Sequence, residues 1–240
     1  MSMANTLGKL SIRDQAVVEL VARFKQLTAA HIRTALFGEL ASQTPCDRVL
    51  KRLTESSHLA RLARLVGGDT GGSSQFVYQL GRAGWKLLDK PGHYWAPRAV
   101  NLHTLAIADC FAALKQADQA GGLRLLTFTT EPDCHTSVGA VSLTPDAYVE
   151  VGDPVARLKR SFWLEIDQGT EHADKIRDKC LRYWQGYQRW NEAYYPSVVF
   201  VVPDARRRAQ VERVIGGGPE EAQSSFVVAT HAELLTNMAM

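Results

Sequence analysis

Long hydrophobic runs are missing from this sequence. No stretch of about 18 consecutive apolar residues occurs, and a run of that length is the usual sign of a membrane-spanning helix. The opening segment MSMANTLGKLSIRDQ also lacks the continuous apolar core and the cleavage site of a secretory signal. We therefore expect a cytoplasmic protein with no membrane partner.

Cysteine is scarce, and a nucleotide-binding glycine loop is absent. The four cysteines, Cys46, Cys110, Cys134 and Cys180, lack the spacing of a metal site, so we expect reduced thiols and exclude a zinc centre. Cys134 precedes His135, but the sequence places no second histidine or acid to complete a nucleophilic pair. No G-x-x-x-x-G-K-[ST] motif occurs, which excludes a P-loop NTPase.

Charge is distributed unevenly along the chain. Residues 1–100 carry 14 Lys and Arg against 7 Asp and Glu, a net charge of +7, whereas residues 101–240 carry 14 against 18, a net charge of −4. The basic part is the candidate for binding a polyanion. The difference in sign indicates two domains with different roles.

The first third of the chain has the pattern of three helices followed by two strands. Each helix is predicted to begin near a residue that can cap it: Ser11, Thr28 (in a second helix that starts at residues 26–28) and Thr44, which precedes a proline. Alternating apolar residues predict strands at 59–66 and 75–80, separated by a Gly-rich turn at 67–74. This order is that of a winged helix-turn-helix, in which the third helix enters the major groove of DNA.

The third helix is the expected DNA contact. Its predicted DNA-binding residues are Gln43, Thr44, Arg48, Lys51 and Arg52, and the strand after it adds Arg61 and Arg64. The predicted wing at 67–74 holds no Lys or Arg, so contact with phosphate falls to the strand arginines or to backbone amides. Two alternatives stay open: a helical bundle with solvated basic faces, and a winged helix used only for protein contact or dimerisation.

A linker containing Pro and Gly is predicted at residues 91–102, between a winged-helix domain at 1–90 and a second domain at 103–240. The second domain is predicted to contain a helix at 103–120, strands at 123–130, 144–151 and 161–167, a helix at 171–190, a strand at 197–202, a helix at 204–215 and a strand at 225–229. The order α-β-β-β-α-β predicts an α/β (α+β) sandwich with a mixed central sheet.

Three carboxylates lie at the ends of two of these strands. Asp146 opens the strand at 144–151, and Glu165 and Asp167 close the strand at 161–167. Residues at i and i+2 of a strand share a face, so Glu165 and Asp167 project together, and pairing of the two strands would bring Asp146 near them. Such a cluster of oxygen ligands suits Mg²⁺ or Mn²⁺. The alternative is the solvated end of a hairpin.

A basic helix follows the carboxylates. Lys175 and Lys179 are four residues apart, so they share one helix face. Hydrolysis of a phosphodiester needs a metal ion that activates water and a cation that stabilises the developing charge. The predicted catalytic residues are therefore Asp146, Glu165, Asp167, Lys175 and Lys179, with the three acids as the metal ligands.

Two short motifs resemble those of a known protein family. Pro145-Asp146 and Glu165-Ile166-Asp167 resemble the core of PD-(D/E)XK nucleases. The wider pattern, PDAY, then FWLEIDQGT, then a helix with Lys179 and Tyr183, resembles the replication-relaxation family of plasmids and conjugative elements. The resemblance covers residues 10–235 and implies a winged helix fused to a nuclease-like domain.

One position departs from the nuclease pattern, because Asp167 stands where such a nuclease has lysine. This favours a sequence-specific double-stranded DNA-binding protein of a mobile element, acting in replication, mobilisation or transcription regulation, with an inactive nuclease-like domain. The alternative is a metal-dependent DNA endonuclease or nickase in which Lys175 or Lys179 replaces the missing lysine.

The expected partners are double-stranded DNA, a second copy of the chain, and replication or conjugation proteins. Aromatic residues recur at helical spacing between Tyr183 and Tyr195, which predicts mostly core and, for some of them, a dimer face. The run Arg206-Arg207-Arg208 is interpreted as a solvated helix face. DNA binding needs no cofactor, whereas an active carboxylate cluster would need Mg²⁺ or Mn²⁺.

Overall fold

The computed structural model describes residues 10–65, 75–96 and 99–239. The chain divides into two units, Met1–Ala112 and Ala113–Met240. The division falls inside one helix, Leu102–Gln119, beyond the predicted linker at residues 91–102. Phe111 of this helix packs against Phe24 with ring centroids 4.9 Å apart, which joins the first half of the helix to the first unit. No helix within the described ranges is long and apolar enough to cross a membrane.

The first unit combines short helices with a small antiparallel sheet. Its elements are α1 (Ile12–Phe24), β1 (Gln26–Thr28), α2 (Ala29–Phe37), α3 (Thr44–Glu55), β2 (Leu59–Leu65), β3 (Gln75–Leu80), α4 (Arg82–Leu87) and the start of α5 (Leu102–Gln119). β3 lies between β1 and β2 and pairs antiparallel with both. The turn predicted at residues 67–74 lies outside the described residues.

Two of the predicted helix caps are confirmed. Ser11 caps α1 in a capping box with Asp14, so each side chain bonds the backbone N–H of the other residue. Thr28 caps α2, with His31 in the reciprocal position. These local signals set where the first two helices begin, because each cap satisfies backbone N–H groups that have no partner within the helix.

Two other predictions at helix starts are wrong. Gln26–Thr28 form β1 and pair with β3, so they do not begin the second helix. Thr44 is the first residue of α3 and not its cap, and Gln43 precedes the helix without a side-chain cap. Pro45 explains why the helix begins one residue earlier than predicted. Proline fits the first turn of a helix, because the backbone N–H groups there have no partner within the helix and the missing N–H of proline costs no hydrogen bond.

The second unit is built on a five-stranded sheet with helices. After α5 come β4 (Arg124–Thr130), β5 (Thr136–Val138), β6 (Val141–Leu143), β7 (Ala147–Gly152), β8 (Lys159–Ile166), α6 (Ala173–Tyr187), β9 (Ser197–Val202), α7 (Ala205–Gly216), α8 (Glu220–Gln223), β10 (Phe226–Thr230) and α9 (Leu234–Ala239). The strand order is β10-β9-β8-β7-β4. β8, β9 and β10 are parallel, and β7 is antiparallel to β8 and β4. The predicted mixed sheet and mixed α+β class are confirmed.

The central strand β8 carries the core of this unit. Every residue from Phe162 to Ile166 is buried, so both faces of the strand are covered. Leu164 lies opposite Ala147 of β7 and Val199 of β9, and it is fully buried. The predicted pairing of the strands at 144–151 and 161–167 is confirmed.

A short hairpin, β5 with β6, was not predicted. The two strands have only three residues each, which is too few for an alternating pattern to stand out. Gly139 in the turn between them has φ +58°, a conformation that glycine adopts without strain. The short α8 also gave no periodic signal, since it spans a single turn.

Candidate functional site

Glu165 is the centre of a buried polar cluster at the end of β8. Its side chain lies on the sheet face that α6 covers, and the residue is only 3% exposed. The hydroxyl group of Tyr183 donates to Oε1 at 2.5 Å, and Nζ of Lys179 lies 2.9 Å from Oε2. Lys179 also lies 3.0 Å from Glu171. One helix, α6, therefore supplies both partners of the buried carboxylate.

Burial sets the electrostatics of this cluster. Burial raises the pKa of Glu165 to about 7, Lys179 and Tyr183 oppose that rise, and the nearby charge of Asp146 adds to it. Burial also disfavours the ammonium of Lys179, but the attraction of Glu165 and Glu171 outweighs it and raises the lysine pKa. Burial and the same carboxylate raise the pKa of Tyr183, which therefore stays a hydrogen-bond donor.

Asp146 lies next to Glu165, as the sequence predicts. It precedes β7 instead of opening it, and Oδ2 accepts a hydrogen bond from the backbone N–H of Ile166 at 2.6 Å. Its own backbone N–H donates to the carbonyl of Leu164 at 3.0 Å. These two bonds extend the β7–β8 ladder by one residue and fix the carboxylate beside the end of β8.

Asp167 has different partners from Glu165. It follows the last residue of β8, and its carboxylate is paired with Nε of Arg207 and accepts from the N–H of Gly169 at 2.9 Å. Arg207 also donates to the backbone carbonyl of Glu171 at 2.6 Å. The side chain of Arg207 is only 12% exposed, so the interpretation of this arginine as part of a solvated face is wrong.

The three predicted metal ligands do not form an open set of oxygens. Both oxygens of Glu165 and both of Asp167 are engaged by groups of the protein. Among the described residues, no group of three or more His, Cys, Asp or Glu is arranged to hold a metal ion. As placed, Asp146, Glu165 and Asp167 do not fit a divalent ion, because a cation of the protein already neutralises each of the last two.

The two predicted catalytic lysines differ in position. Lys179 reaches Glu165, whereas Lys175, one turn earlier on α6, is exposed to solvent. Their shared helix face therefore does not bring both ammonium groups to the carboxylates. Of the five predicted catalytic residues, the structure brings together Asp146, Glu165 and Lys179.

The second candidate site is the outer face of α3. Gln43 and Thr44 at its start, and Arg48 and Lys51 in its middle, are exposed. Lys51 lies 3.9 Å from Glu55, and both side chains are mostly in solvent, so this pair is weak and leaves the lysine available. The opposite face of the helix is apolar and buried through Cys46, Val49, Leu50 and Leu53.

The other three predicted DNA-binding arginines are Arg52, Arg61 and Arg64, and their surroundings differ from those of the exposed residues on α3. Arg52 bonds the buried Asp14, so part of its charge serves the fold. Burial works to raise the pKa of Asp14, but hydrogen bonds from Arg52 and Ser11 outweigh it and hold that pKa below its ordinary value. Arg61 is exposed and lies over the ring of Phe76 at 4.1 Å. The side chain of Arg64 lies outside the described residues.

Comparison with known proteins gives one family and distant similarities to solved structures, two of which are described below. A model of the replication-relaxation family matches residues 18–198. No curated protein matches the chain. Restriction endonuclease FokI bound to DNA is similar at 13% identity and a TM-score of 0.30, over 95% of this chain and 44% of that chain. A second structure of restriction endonuclease FokI is similar at 14% identity and a TM-score of 0.30, over 95% of this chain and 43% of that chain. The chain thus spans less than half the length of these FokI chains.

Proposed function

Because the chain belongs to the replication-relaxation family, we propose that it is a sequence-specific double-stranded DNA-binding protein of a mobile element. Its role would lie in replication, mobilisation or transcription regulation. The family membership confirms the resemblance of the pattern PDAY, FWLEIDQGT and the following helix to that family. Assembly into a homodimer stays a prediction, which sedimentation at several protein concentrations would test.

The first unit is proposed to be a winged helix. The helices α1, α2 and α3 precede the strands β2 and β3 in the chain. The strand β1, which lies between α1 and α2 in sequence, completes a three-stranded antiparallel sheet with them. A winged helix-turn-helix has this order and uses its last helix as the recognition helix. In this unit that helix is α3.

The exposed face of α3 is the observation that carries the proposal. Thr44, Arg48 and Lys51 of α3, and Gln43 just before it, are exposed, whereas the other face of this short helix is buried. Arginine and lysine neutralise phosphates, and glutamine and threonine hydrogen-bond base edges in the major groove. The net charge of +7 on residues 1–100 favours a polyanion as the partner.

Replacing Arg48 and Lys51 by Ala is expected to weaken duplex binding and its dependence on salt. Each phosphate that is no longer neutralised should lower the slope of log K against log salt by about 0.9, and so by up to about 2 for both side chains. Gel shifts at several salt concentrations would measure the slope. These two side chains are exposed, so the variant should keep the melting temperature of the wild type.

A matched control is the variant Lys86→Ala/Lys90→Ala. It removes the same charge from exposed positions in and after α4 of the same unit. It should change binding much less than the α3 variant. Equal losses in the two variants would show that only overall charge matters, and an unchanged slope in the α3 variant would refute α3 as the DNA contact. Arg52 is left intact because its removal would leave Asp14 buried without its partner.

We further propose that the second unit is nuclease-like and does not cleave DNA. The support is that the oxygens of Glu165 and Asp167 are already bonded by Lys179, Tyr183 and Arg207. The alternative, a metal-dependent endonuclease or nickase, is favoured by one contact. Lys179 lies 2.9 Å from Glu165, so a helical lysine stands where hydrolysis would need a cation.

Purified protein is expected to leave supercoiled plasmid intact in Mg²⁺ and in Mn²⁺. Calorimetric titration with Mn²⁺ should show no site that is lost in Glu165→Gln. The reason is that an ion would have to displace both Lys179 and the Tyr183 hydroxyl from Glu165. Nicking by the wild type that disappears in Glu165→Gln, prepared side by side, would establish the endonuclease instead.

A further inference from the structure

A cleft of about 540 Å³ lies on one face of the sheet in the second unit, and its lining does not include Glu165, Lys179 or Tyr183. Its floor consists of side chains that share a face of three neighbouring strands: Thr129, Tyr148, Glu150, Ser161 and Trp163. Residues 190–196 supply one wall, and residues 133–136 supply the other. The volume falls within the usual range of ligand pockets.

Aromatic rings dominate one side of this cleft. Trp163 stands edge-on to Trp190, with ring centroids 6.0 Å apart. The indole N–H of Trp190 donates to the backbone carbonyl of Tyr194 at 3.0 Å, which fixes the wall in place. Tyr194 itself is 84% exposed at the rim. The cleft thus offers π faces, with one ring open to solvent, to a ligand that enters it.

The charged side chains of the cleft favour a positive ligand. Asp133, Glu150 and Glu192 line it, against a single lysine, Lys159. Lys159 lies 2.8 Å from Glu150, so those two charges offset each other. Asp133 and Glu192 have no cationic partner within the described parts of the chain. Two such carboxylates attract a cation and repel a phosphate backbone.

The charge of Glu192 acts inside the cleft. Burial is the main reason why the pKa of Tyr148 is raised, Glu150 adds to the rise, and Glu192 adds to it from the wall of residues 190–196. The floor and the wall of residues 190–196 are therefore electrostatically connected. His135 also lines the cleft.

We propose that this cleft binds the guanidinium group of an arginine in a basic segment of a partner protein. A guanidinium is a planar cation that stacks on aromatic faces, and its N–H groups bond carboxylates in a fixed geometry. The cleft provides both kinds of group, with Tyr194 and Trp190 on one wall and Asp133 and Glu192 at the two sides. Its volume also admits the neighbours of the arginine. The lining of the cleft includes no residue of the proposed DNA contact on α3.

The test titrates the whole protein with an acetylated Gly-Arg-Gly amide and with the same peptide carrying citrulline. Citrulline keeps the shape of arginine and loses its charge. The arginine peptide should bind saturably and at least about tenfold more tightly, because it alone makes cation–π and charge-assisted contacts. Tryptophan fluorescence would report binding near Trp190, and calorimetry would give the dissociation constants.

Two variants and one control locate the site. Tyr194→Leu and Asp133→Asn/Glu192→Gln should each weaken the arginine peptide at least about tenfold. Glu220→Gln/Glu221→Gln removes the same charge from the exposed α8 and should leave affinity unchanged. All the replaced side chains are exposed, so circular dichroism should match the wild type.

Three results would overturn the proposal. The first is equal affinity for the citrulline peptide, and the second is no binding of the arginine peptide at millimolar concentration. The third is saturable binding of a short oligothymidylate that is lost in Tyr194→Leu. That last result would make the cleft a stacking site for single-stranded nucleic acid, because aromatic residues also stack bases.

Discussion

Leu164→Ala is expected to lower the free energy of unfolding by about 2–5 kcal/mol, which is the usual cost of removing a buried leucine side chain. Leu164 is fully buried in the central strand, between Ala147 of β7 and Val199 of β9. Neighbours held on both sides by ladder hydrogen bonds cannot collapse into the space that the leucine leaves. Urea unfolding followed by circular dichroism would measure the loss.

Leu181→Ala is the matched control for this substitution. Leu181 lies in α6 and is 48% exposed, so the same chemical change should alter the free energy of unfolding by only about 0.5 kcal/mol. If the Leu164 variant unfolded at the wild-type urea concentration, β8 would not be the centre of the second unit.

Lys179→Met is expected to lower stability by about 3–5 kcal/mol above neutral pH, as found when one partner of a buried ion pair is removed. The side chain of Lys179 is 21% exposed and that of Glu165 is 4% exposed, so water replaces the missing cation poorly. The methionine keeps the length and the apolar stem of lysine. The loss is therefore attributable to the charge that remains on the buried Glu165 and, to a smaller extent, on the more exposed Glu171.

The pH dependence of this loss identifies its cause. The pKa of Glu165 is raised from 4.5 to about 7 in the folded state, so protonation of this carboxyl group stabilises the fold. The contribution to stability is fully present below pH 4.5 and is lost as pH rises through 7. Without Lys179, which lowers that pKa, the carboxyl group would stay protonated to higher pH. The deficit of the variant should therefore grow above pH 7, by at most about 1.4 kcal/mol per pH unit.

The double variant Lys179→Met/Glu165→Gln provides the control. Glutamine removes the buried charge and keeps an oxygen that accepts from Tyr183. It should recover most of the stability that the single variant loses above pH 7 and remove the pH dependence of the deficit. A deficit that is the same at pH 5 and pH 8 would contradict an electrostatic origin and indicate poorer packing.

Local sequence signals predicted much of the fold. Ser11 and Thr28 cap helices as their positions indicated, because a cap acts on backbone groups within the next turn. The alternation around Leu164 predicted a strand, and its neighbour β7 was close enough in the chain to be recognised as its partner. These features depend on residues near one another in sequence, so their pattern is visible without a structure.

Side-chain partners distant in sequence could not be predicted. Asp167 and Glu165 share the parity of one strand, yet the carboxylate of Asp167 is paired with Arg207, 40 positions away, and that of Glu165 with Lys179. Arg52 is likewise engaged by Asp14, 38 positions away. Charge and helical spacing gave no sign of either pair, because tertiary packing alone brings them together.

The position of α5 bears on how the protein can be cut into fragments. A fragment ending at residue 90 would lose Phe111, which packs on Phe24, and the aspartate whose Oδ1 lies 2.7 Å from the buried His31, Asp109. It would also lose Asn101, whose backbone N–H donates to Gln26 of β1. A DNA-binding fragment should therefore retain α5. If a shorter fragment bound DNA weakly, poor folding would account for the result, and the role of α3 would not have been tested.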